Sequence, residues 1–236
     1  MGSGSLFYSV NPTEAILGDI NFDLVDCLQT VQKYPGAVYE RLTALPTGKR
    51  SYYKIRAANP TTLGAKDRAA RFLFLNRFCF NGIYRTNLAG QFNVPYAPTG
   101  TGEIPSREVF LASAKRLAGV TIECADFEKL VRRYARRGDF VYFDPPYAVS
   151  ARRIFTEYNS DIFGQRDLDR LVKLLHYLDK SGITWVLSYA YSKEALDAFS
   201  DWPKEKVFAQ RNIAGFAKHR RKAAELLISG KNTVAQ

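Results

Sequence analysis

The chain has 236 residues, 46% of them hydrophobic, and 34 lysines and arginines against 23 acids give it a formal net charge of +11. That apolar share excludes a disordered or low-complexity protein, and the positive excess suits a polyanionic partner, most simply nucleic acid. The scattered Cys27, Cys79 and Cys124, with only His176 and His219, exclude a disulfide framework and a His/Cys zinc site, so no metal is expected.

No apolar run approaches a membrane span, and the start lacks the basic-then-apolar form of a signal peptide, so a reduced, cytosolic protein is expected. In chain order, Gly2-Ser3-Gly4-Ser5-Leu6-Phe7 reads as a glycine turn that lets a ligand approach the backbone, although an expression remnant would look the same. Ala15–Asp19 reads as a strand ending in an acid. Asn21 to Lys33 has helical spacing through Leu24, Val25, Leu28 and Val31. Residues 46–65, rich in Gly, Pro, Thr and Lys, read as loop with little core. Asp67–Phe80 reads as a strongly amphipathic helix, followed by an Asn-, Gly- and aromatic-rich segment to Tyr96 and a loop to Pro105.

Alternation then resumes. Ser106–Leu117 reads as helix with Ser106 as its cap, Val120–Cys124 as strand, and Asp126–Ala135 as helix. Phe140–Phe143 is strand, Leu168–Lys180 helix with Gly182 just past its end, and Ile183–Ser188 strand. Lys193–Phe199 is helix, and Lys206–Gln210 and Ala224–Ile228 pair as antiparallel strands. Strand–helix alternation interrupted by a helical, aromatic insert predicts a Rossmann-type α/β sheet with a substrate module spliced in.

Phe143-Asp144-Pro145-Pro146-Tyr147 carries most of the chemistry. A carboxylate at the carboxyl end of a strand lies where open α/β sheets bind ligands. The two prolines have fixed φ and no N–H, so the turn is stiff and its carbonyls are available to outside donors. With the Tyr147 ring, the corner suits a planar molecule bearing an exocyclic amine; the plainer reading is a Pro-rich β-turn. Asp19 stands where a ribose-binding acid belongs, or it serves only the dipole of the following helix. Asp126, with Phe127 beside it, caps its helix or faces the base of a cofactor, and both roles are compatible. Three basic clusters lie in the same half of the chain: Arg132, Arg133, Arg136 and Arg137; Arg152 and Arg153; Lys218, Arg220, Arg221 and Lys222. Each is a solvated face or a phosphate contact.

These pieces together resemble the Dam-type DNA adenine N6-methyltransferases, the α-class amino-methyltransferases with a DPPY motif. The likeness rests on Gly2–Phe7, Leu17–Asn21, Phe74-Leu-Asn-Arg-Phe-Cys-Phe-Asn-Gly-Ile-Tyr-Arg-Thr-Asn87, Gln91–Pro95, Asp144–Tyr147 and Phe155–Tyr158, in the family's order. The resemblance implies a catalytic domain over 1–47 and 106–236 and a target-recognition module over 48–105. It implies S-adenosylmethionine as cofactor, held through Gly2, Gly4, Asp19, Asp126, Phe127 and Asp144. It implies double-stranded DNA as partner, with GATC the family's commonest target. The adenine is flipped out of the duplex, Asp144 and the Pro145 carbonyl accept its N6 hydrogens, Pro146 holds the turn, and Tyr147 stacks on the ring. Phe80 and Asn81 fall where the family wedges into the duplex, and Ile83 and Arg85 where it reads a neighbouring base pair. Core packing of the insert explains Phe80 and Ile83 equally well, and Arg85 less easily. A loop from Ser150 to Phe163 is expected to order around DNA, with Arg152 and Arg153 on phosphates. A monomeric, bacterial or phage-encoded enzyme is implied.

Two departures from the pattern stand out. The family carries a lysine-bearing segment and the first strand ahead of the glycine turn, whereas this sequence starts within the turn, and Ser188-Tyr189 stands where Ser-Asn is commoner. A relative that binds DNA without methylating it is therefore the competing expectation. A third reading is transfer to cytosine N4 or to a base in RNA, against which Asp before Pro-Pro argues.

Overall fold

Two units of structure, Met1–Phe127 and Glu128–Gln236, divide the chain. The computed structural model describes residues 1–2, 4–97, 103–146, 163–210 and 222–231.

In the first unit the glycine turn leads into α1 (Ser5–Val10), and β1 (Ile16–Asp19) follows. Helix α2 (Phe22–Lys33) starts where Asn21 accepts the Leu24 N–H at 3.3 Å, an N-cap that satisfies one of the first turn's orphan donors. Next come α3 (Pro35–Ala44), α4 (Lys49–Ala57) and α5 (Ala65–Phe78), then a 3₁₀ turn at Phe80–Gly82, α6 (Arg107–Lys115) and β2 (Thr121–Cys124). Ser106 caps α6 through the Val109 N–H, as its position before the helical spacing suggested.

Strands β1 and β2 pair in parallel, with Ile16 opposite Thr121 and Asp19 opposite Cys124. Their carboxyl ends therefore lie side by side. The side chain of Gln29 on α2 donates to the Ile122 carbonyl at 2.7 Å, covering an outward-pointing acceptor on β2. Gln32, one turn on, donates to Leu117 and Val120 carbonyls just before the strand.

Residues 46–65 are not a loop with little core. Lys49–Ala57 is helical, and Tyr52 within it is fully buried, its hydroxyl donating to the Val94 carbonyl at 2.9 Å. Local composition concealed this because one aromatic anchor, rather than an apolar stripe, ties a basic helix to the core. Helix α5 also differs from its expected form. It buries Ala69 in a cluster with Val25, Cys27, Val31 and Leu117, and Ala70, Phe74 and Leu75 in another with Leu42, Tyr52 and Val94. A helix wedged between two cores spreads its apolar residues around the axis instead of along one face.

In the second unit, α7 (Phe127–Tyr134), which starts at the boundary, is followed by β3 (Phe140–Phe143) and α8 (Gln165–Lys180). Then come β4 (Thr184–Ala190), α9 (Lys193–Ala198), β5 (Lys204–Gln210) and β6 (Lys222–Ser229). Gly182, between α8 and β4, takes φ +69°, the left-handed conformation a glycine after a helix adopts without strain. The sheet runs β3-β4-β6-β5, with β3 and β4 parallel and β6 antiparallel to both β4 and β5. Leu171, Leu174, Leu175 and Leu178 of α8 are fully buried, as are Trp185 and Leu187 of β4. Asp179 ties this core shut: it accepts the indole N–H of Trp185 at 2.9 Å and that of Trp202 at 2.6 Å. Two indoles paired to one carboxylate are buried without an unsatisfied donor.

Candidate active site

Asp19 closes β1 and is held on both oxygens. Oδ1 accepts the Asn21 N–H at 3.0 Å, and Oδ2 accepts the Gly2 N–H at 3.1 Å and lies 3.2 Å from the Met1 amino group. Burial works against its charge, but the Asn21 N–H, the amino group and the Gly2 N–H outweigh it and hold the carboxyl below its ordinary range. The glycine turn and the strand-end acid therefore meet through the Gly2 N–H. Gly2 and Gly4 have φ of +54° and +69°. At Gly4 an added Cβ would stand 3.3 Å from the Tyr8 ring, so both conformation and space favour glycine there.

Asp126 and Phe127 follow β2, and the Ala125 N–H donates to the Asp19 carbonyl at 3.1 Å. The parallel pairing thereby brings Asp19, the last residue of β1, and Asp126, two residues past β2, to one edge of the first unit. Both are half-buried, and a carboxylate oxygen with one N–H on it still has a lone pair for a hydroxyl. A glycine turn and two acids at adjacent strand ends are a donor and acceptor set that fits a purine ribonucleoside.

In the second unit, Asp144 is exposed directly after β3, followed by Pro145 and Pro146. Register puts Tyr142 opposite Val186, two residues before Ser188 on the same face of the sheet, and Ser188 pairs with Leu227, two residues from Glu225 on that face. The Ser188 hydroxyl donates to Glu225 at 3.4 Å. Tyr142 is hydrogen-bonded to Ser188, and burial first, then the Asp144 charge, push its phenol pKa up. Tyr142, Ser188 and Glu225 thus form a polar group beside the Asp-Pro-Pro corner that sequence reading did not single out. Period-two spacing from Asp144 back to Tyr142 was the one signal that pointed to it.

Phe80 and Ile83 pack partly against the aromatic core of the first unit, which agrees with the core reading of each. Asn81 takes φ 55°, a left-handed conformation that asparagine tolerates and that turns the chain sharply between them. The segment then doubles back on itself: Thr86 bridges Phe92, and Cys79 bridges Tyr96. Arg85 is exposed, and its Nε donates to Asn93 Oδ1 at 2.8 Å. Of the basic run on α7, Arg132 pairs with Glu128 at 2.9 Å and lies over the Tyr177 ring, and Arg170 of α8 joins the same Glu128 at 3.1 Å. Arg132 therefore ties α7 to α8. Tyr147, Arg152, Arg153, Lys218, Arg220 and Arg221 lie outside the described residues, as does most of the 150–163 loop.

No group of three or more metal-ligating side chains occurs among the described residues, nor is any described helix long and apolar enough to cross a membrane. A mixed α/β protein with acids at the ends of parallel strands and an Asp-Pro-Pro corner fits the methyltransferase class. The chain belongs to the D12 class of N6 adenine-specific DNA methyltransferases, whose family model matches residues 1–213. It is 32% identical to the type II methyltransferase M1.LlaDCHI of Lactococcus lactis subsp. cremoris, over 97% of this chain and 84% of the relative. It is 34% identical to the type II methyltransferase M.MjaIII of Methanocaldococcus jannaschii, over 90% and 79% respectively. A DNA adenine methylase of Serratia marcescens is 31% identical, over 96% of this chain and 86% of that protein.

Proposed function

We propose that this chain transfers a methyl group from S-adenosylmethionine to N6 of an adenine flipped out of double-stranded DNA at a specific site, with GATC as the candidate sequence. The observation that carries the proposal is Asp144 at the carboxyl end of β3, exposed and followed by two prolines, which have no N–H. Part of the proposal is a Rossmann-like catalytic domain over 1–47 and 106–236, with 48–105 inserted as the recognition module.

Asp144 and the Pro145 carbonyl would accept the two N6 hydrogens of adenine. Those bonds draw the nitrogen lone pair out of conjugation with the ring, so that it is free to attack. Full deprotonation before transfer is unnecessary, because the nitrogen becomes acidic as its new bond forms. Rigid prolines keep both acceptors fixed, and fixed dipoles require no reorganisation as charge develops. Pro146 completes the turn, and Tyr147 would stack on the flipped ring, worth roughly 1–3 kcal/mol.

The cofactor supplies an electrophilic methyl on a sulfonium. Gly2 and Gly4 would give it close approach to the backbone, Asp19 would accept ribose hydroxyls, and Asp126 with Phe127 would face its base. Arg85 would read a base edge, with Phe80, Asn81 and Ile83 beside it, and Arg152 and Arg153 would hold phosphates. A cytoplasmic monomer acting on the DNA of a bacterium or phage completes the proposal.

Incubation of unmethylated plasmid with tritiated S-adenosylmethionine tests this. Acid-precipitable label in the DNA is expected. DNA retained in a gel shift without any label would instead make the chain a binder that does not methylate.

A further inference from the structure

The recognition segment and the helix that leaves Asp19 are joined by one hydrogen bond whose two ends are 61 residues apart: the Tyr84 hydroxyl donates to Asp23 Oδ2 at 2.8 Å. Asp23 lies in the first turn of α2, directly behind the Asn21 cap. Asn21 also gives its backbone N–H to Asp19 at 3.0 Å and accepts the Leu24 N–H on its side chain. The strand-end acid is thus bonded to the helix cap, and the first turn of that helix, two residues on, is bonded to a tyrosine flanked by Ile83 and Arg85. The Tyr84 ring is wedged between Phe72 at 5.7 Å and Phe92 at 5.6 Å, centroid to centroid. Phe72 belongs to α5, and Phe92 to the returning half of the segment.

Two more contacts stiffen the same region. Arg68 of α5 makes a two-pronged pair with Asp26, three residues after Asp23 on α2, at 2.9 Å on each arm. Arg71 donates to the carbonyls of Ile55 and Arg56 at the end of α4, at 3.0 and 2.7 Å, and lies close enough to Asp23 and Tyr84 to feel both. Asp23, Arg71, Phe72, Asn76, Tyr84 and Phe92 line one shared cleft. The Tyr84 ring alone would serve packing. Its hydroxyl, directed at a carboxylate on another element, fixes the segment's position along α2 as well.

We infer that Asp23 and Tyr84 are a positioning pair, through which the ribose-binding acid and the base-reading segment are held as one piece and bind cooperatively. The inference rests on the function proposed above and adds to it a regulation of the same site: cofactor on Asp19 steadies α2, and α2 holds Arg85 in register. Such linkage is reciprocal, so cofactor strengthens DNA binding by the same factor as DNA strengthens cofactor binding.

The test uses the full chain, S-adenosylhomocysteine as an unreactive stand-in for the cofactor, and a duplex cut from plasmid DNA that the wild-type chain labels. The quantity read is the ratio of duplex affinities with and without S-adenosylhomocysteine. In the wild type a ratio of about five or more is expected. Tyr84→Phe, which keeps the ring and removes only the hydroxyl, should bring it near one without moving the melting temperature. Asp23→Asn keeps an accepting oxygen and should retain most of the ratio, whereas Asp23→Ala should behave like Tyr84→Phe and add nothing to it in the double variant. A wild-type ratio of one, or a full ratio in Tyr84→Phe, overturns the linkage. If the wild type labels no plasmid at all, the proposed function fails first and takes the linkage with it, a result seen before any ratio is measured.

Discussion

Two strand-end carboxylates, one in each unit, stand in different surroundings. Asp19 is bonded on both oxygens by nearby donors, half-buried and kept ionised. Asp144 is exposed directly after β3, with two prolines of fixed φ next in the chain. The contrast separates two tasks. An acid that must bind hydroxyls tolerates being tied down, because hydroxyls can share its lone pairs. An acid that must meet a reacting nitrogen needs a fixed position, and two prolines of locked φ directly after it supply that stiffness.

The difference is broken most severely at Asp144. Replacement by Ala should lower methyl transfer by about a thousandfold or more while DNA binding in a gel shift survives. Undiminished turnover would remove Asp144 from the reaction. Packing behind it comes next. A Cβ at Gly230 would stand 2.6 Å from Trp185 Nε1 and 2.8 Å from Asp179 Oδ1, so Gly230→Ala should destabilise the chain by about 2–3 kcal/mol in urea denaturation. Wild-type stability for that variant would show that the Asp179–indole knot yields easily.

Arg85→Ala should cost roughly 1–3 kcal/mol of discrimination between the preferred site and its single-base variants, with less effect on total DNA affinity. Equal weakening on every sequence would make Arg85 a phosphate contact. The smallest expected effect is a constancy. The Asp19 carboxyl sits below its ordinary 3.8 in the folded chain, so its stabilising contribution is complete above that value and lost only as pH falls through the lower folded one. The stability gap between wild type and Asp19→Asn should therefore be the same at pH 6 and pH 5, a window in which the Met1 amino group keeps its charge. A gap that shrinks by pH 5 would mean that Asp19 is not held as described.

Much of this was legible where local chemistry decides structure. The Ser106 cap, the left-handed Gly182, strand Phe140–Phe143 and the helix after Asn21 all follow from signals within a few residues of each other. The rest depended on distant partners. Helix α4 was read as loop because its one buried anchor, Tyr52, finds its acceptor at Val94, 42 residues away. Tyr84 carried no motif of its own, and its meaning comes from Asp23. Tyr142 and Glu225 are likewise connected only by the pairing of β3, β4 and β6. The family resemblance singled out the long Asn-, Gly- and Arg-bearing string of residues 74–87, without saying what holds it in place.

The most direct measurement is to label plasmid DNA with tritiated S-adenosylmethionine, digest it to nucleosides and separate the products, for the wild type and for Asp144→Ala. The account predicts that wild-type label runs as N6-methyldeoxyadenosine and that the variant yields less by about a thousandfold or more. Label in methylated deoxycytidine, or equal adenine label from both proteins, would contradict it.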